Sequence, residues 1–303
     1  MTTPKTRSKD SSLRRIEREY RIWLTLALPS ASAVIFLCTN ESQIPIGTAF
    51  IVGYPVPEVE SRYVPLVVTA KHVIGDHAEV YGRYTPLDGR KPVTVEYDLA
   101  AFRKSSDLWE HTDSGVDIVV FRSPPFDQTK YQPVPLDLIA SRQDFTDQHI
   151  QSMDRIIWPG LLVNFMGSEQ NYPVIRNGTI ALIPTESIPM KYMVGNAAVE
   201  TRQELILIDG TAVPGASGSP VFLWSGPRVV GTAFNLGGAK PYVLGVLHGF
   251  YPASHRQVLE INLTKTVTMY GENSGVAIIF PSWRLREIIE FSQVKLRFEQ
   301  LLK

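Results

Sequence analysis

The sequence predicts an all-β protein with two β-rich halves and a helix at each end of the chain. Short apolar runs separated by glycine, proline and acidic turns predict the strands. The first series comprises SAVIFL, GTAFIVGY, YVPLVVTA, HAEVYGRY, VTVEYDL and VDIVVFR. A second series comprises IIWPGLLVNFMG, YPVIRNGTIALIP, ELILIDG, SPVFLW, RVVGTAFNL, YVLGVLHGF and SGVAIIFP. Many short strands at this spacing are typical of barrels and sandwiches.

A segment rich in proline and polar residues separates the two series, as expected of a linker over a surface. We therefore divide the chain into an N-terminal extension (1–30), a first β-unit (31–125), a linker (126–155), a second β-unit (156–281) and a C-terminal segment (282–303).

The N-terminal extension is predicted to form an amphipathic helix that ends at Pro29. Its apolar residues recur at helical spacing: Leu13, Ile16, Tyr20 and Leu24. The alternative is a signal peptide that ends near Ala33, because Ala31-Ser32-Ala33 resembles a cleavage site. The helix favours a cytoplasmic protein, and the signal peptide would make it secreted.

The C-terminal segment is also predicted to be helical. Pro281 and Ser282 precede it as a start signal, and an apolar stripe follows at Leu285, Ile288, Ile289 and Phe291. Such a stripe normally covers the protein's own core, although a regulatory partner could bind the terminal helices.

The composition excludes several classes of function. Among 303 residues, 30 basic side chains balance 30 acidic ones, which argues against general affinity for nucleic acid. The single cysteine, Cys38, excludes an intrachain disulfide and a cysteine-built metal site. No apolar run reaches the ~18 residues that a membrane-spanning helix needs. We expect no cofactor, no metal ion and no membrane span.

The run GTAVPGASGSPVF, at 210–222, contains the strongest candidate for chemistry, Ser217. A serine hydroxyl becomes a nucleophile only beside a base, and a third group must hold that base in its tautomer. Without those partners the run would be only a glycine turn between strands.

His72 and Asp117 are the candidate partners of Ser217. His72 directly follows the apolar run VPLVVTAK, and Asp117 opens the run DIVVF. An acid at the start of a buried strand must be paired, because an unpaired buried charge costs several kcal/mol. Taken singly, His72 could be structural and Asp117 could cap a turn. Asp113 and Asp76 compete for the same role but lie in polar turns.

Four motifs in order, GTAFIV, VVTAKHVI, DIVV and GASGSP, resemble those of the trypsin-like serine peptidases of the chymotrypsin fold. The resemblance is closest to bacterial members such as the glutamyl endopeptidases and the HtrA proteases, and it covers nearly the whole chain between the terminal helices. It implies two six-stranded antiparallel β-barrels, at 31–125 and 156–281.

The resemblance also implies roles for individual residues. His72 matches the general base, Asp117 its orienting acid and Ser217 the nucleophile. The backbone N–H groups of Gly215 and Ser217 match the oxyanion hole. Digestive members that are activated by cleavage carry an aspartate where this chain has Ala216, so activation through a new N-terminus is not expected.

The resemblance assigns two walls of a substrate pocket. Thr211 and Ala212 form one wall, and the second wall is formed by Leu247, His248, Gly249 and Phe250. The absence of an acid at the pocket base argues against a preference for arginine or lysine. The pattern favours a small or medium apolar side chain before the scissile bond. One residue of slippage on the strand would instead favour an acidic or amide side chain, through His248.

The sequence thus favours a serine endopeptidase acting on a protein or peptide substrate. A catalytically quiet peptide-binding module on the same fold is the alternative. A metal or nucleotide enzyme has little support, because the histidines are scattered and neither H-E-x-x-H nor G-x-x-x-x-G-K-[ST] is present.

Overall fold

The computed structural model describes residues 34–39, 44–56, 63–86, 91–124, 133–163, 165–194, 197–224, 226–230, 233–235, 240–261 and 264–291. The predicted N-terminal helix and residues 292–303 lie outside these ranges. No helix among the described residues has the length and apolar character needed to cross a membrane.

An eight-stranded sheet forms the first half. Its strands are β1 (Val34–Cys38), β2 (Pro45–Pro55), β3 (Tyr63–Thr69), β4 (Glu79–Tyr84), β5 (Val93–Asp98), β6 (Leu108–Glu110), β7 (Val119–Arg122) and β8 (Val134–Pro135). Seven of them run in the order β5-β4-β1-β2-β3-β7-β6, and β8 pairs in parallel with β2. Strand β1 lies between β4 and β2, and its five apolar residues are all buried.

Helices occur in both halves of the described chain. They are α1 (Lys71–Ile74), α2 (Leu99–Ser105), α3 (Arg142–Asp147) and α4 (Ser282–Ile289), with a 3₁₀ turn at Leu136–Leu138. A capping box at Ser141 starts α3: the Ser141 side chain accepts the Asp144 N–H, and the Asp144 side chain accepts the Ser141 N–H.

The first half differs from the predicted closed barrel, because its sheet stays open along the described strands. The two edge strands, β5 and β6, are joined by α2. Asp98 caps this helix by accepting the Ala101 N–H at 2.7 Å, and Leu99 is fully buried beneath the sheet. The chain between the two edge strands therefore folds as a helix, and no pairing of β5 with β6 occurs among the described strands.

The second half contains a closed six-stranded antiparallel barrel, as predicted. The strands of this half are β9 (Arg155–Gly160), β10 (Val174–Leu182), β11 (Ile188–Val194), β12 (Ala197–Gln203), β13 (Ile206–Asp209), β14 (Pro220–Leu223), β15 (Arg228–Val230), β16 (Ala233–Asn235), β17 (Val243–Ile261) and β18 (Thr264–Pro281). The barrel strands follow the order β10-β13-β18-β17-β14-β9. Strands β11 and β12, and likewise β15 and β16, form separate two-stranded sheets.

One hydrophobic cluster joins the two halves. It contains Phe50 and Leu66 from the first sheet, Phe222 and Phe280 from the barrel, and Leu285 from α4, each at most 5% exposed. Burial of large apolar side chains is the main favourable contribution to folding. The two halves and the predicted C-terminal helix are therefore held together by a shared core.

Candidate active site

The loop that contains Ser217 connects β13 to β14 and depends on two glycines with positive φ. Gly215 has a φ of 93° and Gly218 has a φ of 87°, angles that side-chain-bearing residues rarely adopt. A Cβ on Gly218 would lie only 2.0 Å from the carbonyl oxygen of Thr48 and 2.3 Å from Thr69 Oγ1. Glycine is therefore required at 218 both by backbone angle and by space.

Thr48, in β2 of the first sheet, holds this loop in place. Its hydroxyl donates to the Gly215 carbonyl at 2.6 Å and accepts the Leu161 N–H at 2.9 Å. Its backbone N–H donates to the Ser217 carbonyl at 2.9 Å. Thr48 is fully buried, and a buried hydroxyl needs such partners. The loop conformation in the barrel is therefore fixed by a residue of the other half.

The backbone donors of the loop fall into two groups. The N–H groups of Ala216, Gly218 and Ser219 donate to the carbonyls of Val213, Leu247 and Ala216, at 2.7–3.0 Å. Within the described part of the chain, the N–H groups of Gly215 and Ser217 have no hydrogen-bond partner. These are the two donors that the resemblance assigned to an oxyanion hole.

His72 and Asp117 form a hydrogen-bonded pair at the end of the first sheet. The pairing of Thr69 with Val119 between β3 and β7 brings the two chain segments together. The His72 backbone N–H donates to Asp117 Oδ1 at 2.8 Å, and His72 Nδ1 lies 2.6 Å from Asp117 Oδ2. Because Nδ1 faces the carboxylate, Nε2 is the ring nitrogen that remains for a substrate or nucleophile.

This pairing changes the pKa of both groups. Burial alone would lower the pKa of His72, but the hydrogen bond and negative charge of Asp117 outweigh it and raise the pKa above its ordinary value. Burial alone would raise the pKa of Asp117, but hydrogen bonds from His248 and His72 and the charges of these imidazoles hold it far below its ordinary range. Asp117 is therefore a carboxylate anion at neutral pH.

The sequence did not predict that the ring of His248 contacts Asp117. The ladder between β17 and β18 shifts register between Leu247 and Gly249, so His248 is the extra residue of a β-bulge. Its ring Nδ1 lies 2.5 Å from Asp117 Oδ2, and its carbonyl accepts the Ser217 hydroxyl at 2.8 Å. The imidazole ring contacts His72 edge to face, with 5.0 Å between ring centroids.

The structure thus brings Ser217, His248, Asp117 and His72 into one connected set of hydrogen bonds. The other acids considered from the sequence lie elsewhere. Asp113 accepts the Gly115 N–H and the Gln203 amide, and Asp76 is exposed in a turn.

The remaining residues of the predicted pocket are distributed over the barrel. Ala212 and Leu247 are buried in the barrel core, at 3% and 0% exposure, and Phe250 packs against the same cluster while partly exposed. Thr211 is exposed, and Gly249 is half-buried on β17 next to the bulge. The side chain of His248 faces Asp117, and its ring Nδ1 is hydrogen-bonded to the carboxylate.

One cluster of described residues has the composition of a metal site, namely His72, Asp117 and His248, whose ligand atoms lie within 4.8 Å of one another. Ligands held 2.0–2.1 Å from a tetrahedral zinc ion stay about 3.3 Å apart. The separations of 2.6 and 2.5 Å between the imidazoles and the carboxylate are shorter, and they correspond to hydrogen bonds. The cluster is therefore a carboxylate that accepts from two imidazoles.

The sequence contains one signal for the role of Thr48 and one for that of His248. A polar residue between Gly47 and Ala49 in the apolar strand GTAFIV must find buried partners. A histidine followed by glycine in the strand YVLGVLHGF is compatible with a bulge, because glycine eases the bend.

Comparison with known proteins gives similarities of fold only. No protein-family model and no curated protein matches the sequence. Among solved structures, the chain is similar to the apo protease domain of MamO from Magnetospirillum magneticum, with 11% identity and a TM-score of 0.46 over 85% of this chain and 96% of that one. It is also similar to the HtrA-type protease AlgW with a tripeptide, with 14% identity and a TM-score of 0.47 over 89% of this chain and 62% of that one.

Proposed function

We propose that the protein is a serine endopeptidase of the trypsin-like class, with Ser217 as nucleophile, His72 as general base and Asp117 as the acid that orients it. The observation that carries the proposal is the combination of two unpartnered N–H groups, at Gly215 and Ser217, with a histidine held by a buried carboxylate. Each of these features would lower the stability of a purely structural turn, and each has a use in acyl transfer.

In the proposed reaction, Ser217 Oγ attacks the carbonyl carbon of an extended peptide and its proton passes to His72 Nε2. The negatively charged oxygen accepts from the Gly215 and Ser217 N–H groups. The tetrahedral intermediate expels the amine, which takes the proton from His72, and an ester to Ser217 remains. Water then gives a proton to His72 and attacks the ester carbonyl. The acid is released, and the proton passes from His72 back to Ser217 Oγ. Asp117 stabilises the imidazolium in both halves of the reaction.

The test is covalent labelling by a fluorophosphonate probe, which reacts with activated serines. We expect labelling of the wild-type protein and none of Ser217→Ala. Ser219→Ala is the matched control, because Ser219 is a buried serine of the same loop whose hydroxyl has no hydrogen-bond partner in the described structure. Equal labelling of wild type and Ser217→Ala would refute the assignment.

A second candidate, a catalytically quiet peptide-binding module, is favoured by one observation. The Ser217 hydroxyl donates to the His248 carbonyl and must leave this acceptor before it can give its proton to His72. Binding without cleavage of a proteome-derived peptide library by the wild-type protein would support this candidate. The same library would test the proposed preference for a small or medium apolar side chain before the scissile bond.

A further inference from the structure

His248 contacts the candidate catalytic groups with both its main chain and its side chain. Because it is the extra residue of the bulge in β17, its ring turns away from the strand ladder and toward Asp117. The ring is held between two others, at centroid distances of 5.0 Å from His72 and 5.7 Å from Phe280. Its side chain is 17% exposed, whereas that of His72 is 45% exposed.

Both imidazoles use the same carboxylate oxygen. Nδ1 of His72 and Nδ1 of His248 lie 2.6 and 2.5 Å from Asp117 Oδ2, while Oδ1 accepts the His72 backbone N–H. We infer that His248 is a positioning residue that fixes the Asp117 carboxylate and, by sharing its charge, sets the basicity of His72. This inference rests on the proposed function for its consequence in catalysis, but the interaction itself can be measured without catalysis.

The physical reason is competition for one negative charge. A carboxylate oxygen that accepts from two N–H groups polarises each of them less than it would polarise one alone, so His248 reduces the preference of His72 for its charged form. The side chain of Asp117 is only 10% exposed, so water contributes little to solvating that charge. The two histidines and the aspartate therefore form one hydrogen-bonded unit.

No other charged group enters this unit among the described residues. Lys71, the chain neighbour of His72, donates to the Ser114 carbonyl at 2.7 Å and lies 3.8 Å from Glu110. On the opposite side, β18 contributes the apolar ring of Phe280. A change in the titration of His72 on substitution of His248 can therefore be attributed to their shared carboxylate.

The experiment is an NMR titration of the protein labelled with ¹⁵N-histidine, in which the pKa of His72 is measured directly. In His248→Leu we expect the pKa of His72 to rise by roughly half a unit to one unit, because the whole Asp117 charge then acts on it. His248→Gln, whose amide N–H can donate in place of the imidazole, should return the pKa toward the wild-type value. His77→Leu, which removes an exposed histidine outside the site, is the control and should leave it unchanged.

An unmoved or lowered pKa of His72 in His248→Leu, or a rise that His248→Gln does not reverse, would overturn the inference. As a second measurement, the rate of fluorophosphonate labelling should fall by about ten-fold in His248→Leu and recover in His248→Gln, well short of the ~10⁴-fold effect of losing the orienting acid. If the wild-type protein is never labelled, the proposed function fails while the titration still decides the role of His248.

Discussion

Replacement of Thr48 by valine tests whether the first sheet holds the loop that contains Ser217. Valine has nearly the same shape, so the change leaves no cavity and removes only the hydroxyl. Two buried groups then lose their partner, the Gly215 carbonyl at 2.6 Å and the Leu161 N–H at 2.9 Å. Each unsatisfied buried group costs about 1–3 kcal/mol, so the free energy of unfolding should fall by about 2–6 kcal/mol.

The same substitution should slow the labelling of Ser217. Gly215 carries one of the two unpartnered N–H groups, and complete loss of one oxyanion donor typically costs ~10²–10³-fold in rate. We expect a decrease of about ten-fold or more in the labelling rate, measured alongside urea unfolding. Thr179→Val is the control, because this half-buried threonine of β10 makes no side-chain hydrogen bond in the described structure. A loss below about 1 kcal/mol with unchanged labelling would refute the role of Thr48.

Three further predictions concern the loop and the charges. Gly218→Ala should abolish labelling and lower the melting temperature, because the new Cβ would meet the Thr48 carbonyl at 2.0 Å; normal labelling would show that the loop tolerates a side chain there. Labelling of Ser217 should rise with pH through a midpoint above that of an ordinary histidine, because His72, the proposed base, must be neutral and its pKa is raised. The lowered pKa of Asp117 means that its contribution to stability is present above about pH 4 and is lost as pH falls through that pKa. At pH 7, Asp117→Asn should therefore have a lower free energy of unfolding than the wild type, as measured by urea unfolding. This difference should be smaller at pH 3; a difference that does not change with pH would contradict its attribution to the Asp117 charge.

The strands and the residues considered for chemistry could be predicted because each depends on a local pattern. Apolar runs bounded by turns predicted the strands, and the requirement that a buried acid be paired singled out Asp117. The structure brings this acid to His72 through ordinary strand pairing. The local pattern alone left Asp117 open as a turn cap, and the catalytic roles were implied only by the family resemblance.

The open first sheet and the orientation of His248 could not be predicted, since both depend on contacts outside the local pattern. Closure of a barrel depends on whether its two edge strands pair, and β5 and β6 are not paired among the described strands. Side-chain alternation assigns a residue to one face of a strand, but a bulge interrupts that alternation. The bulge at His248 is visible only in the pairing of β17 with β18.

The hydrogen bonds from Thr48 to the loop that contains Ser217 also have a consequence for folding. Thr48 and Gly215 are separated by 167 positions in the chain, and Asp117 and His248 by 131. Closing loops of this length is entropically costly, so such contacts form late during folding. A growing or partly folded chain would therefore lack an ordered loop around Ser217 until both halves had docked, so the proposed site would be assembled only in the folded protein.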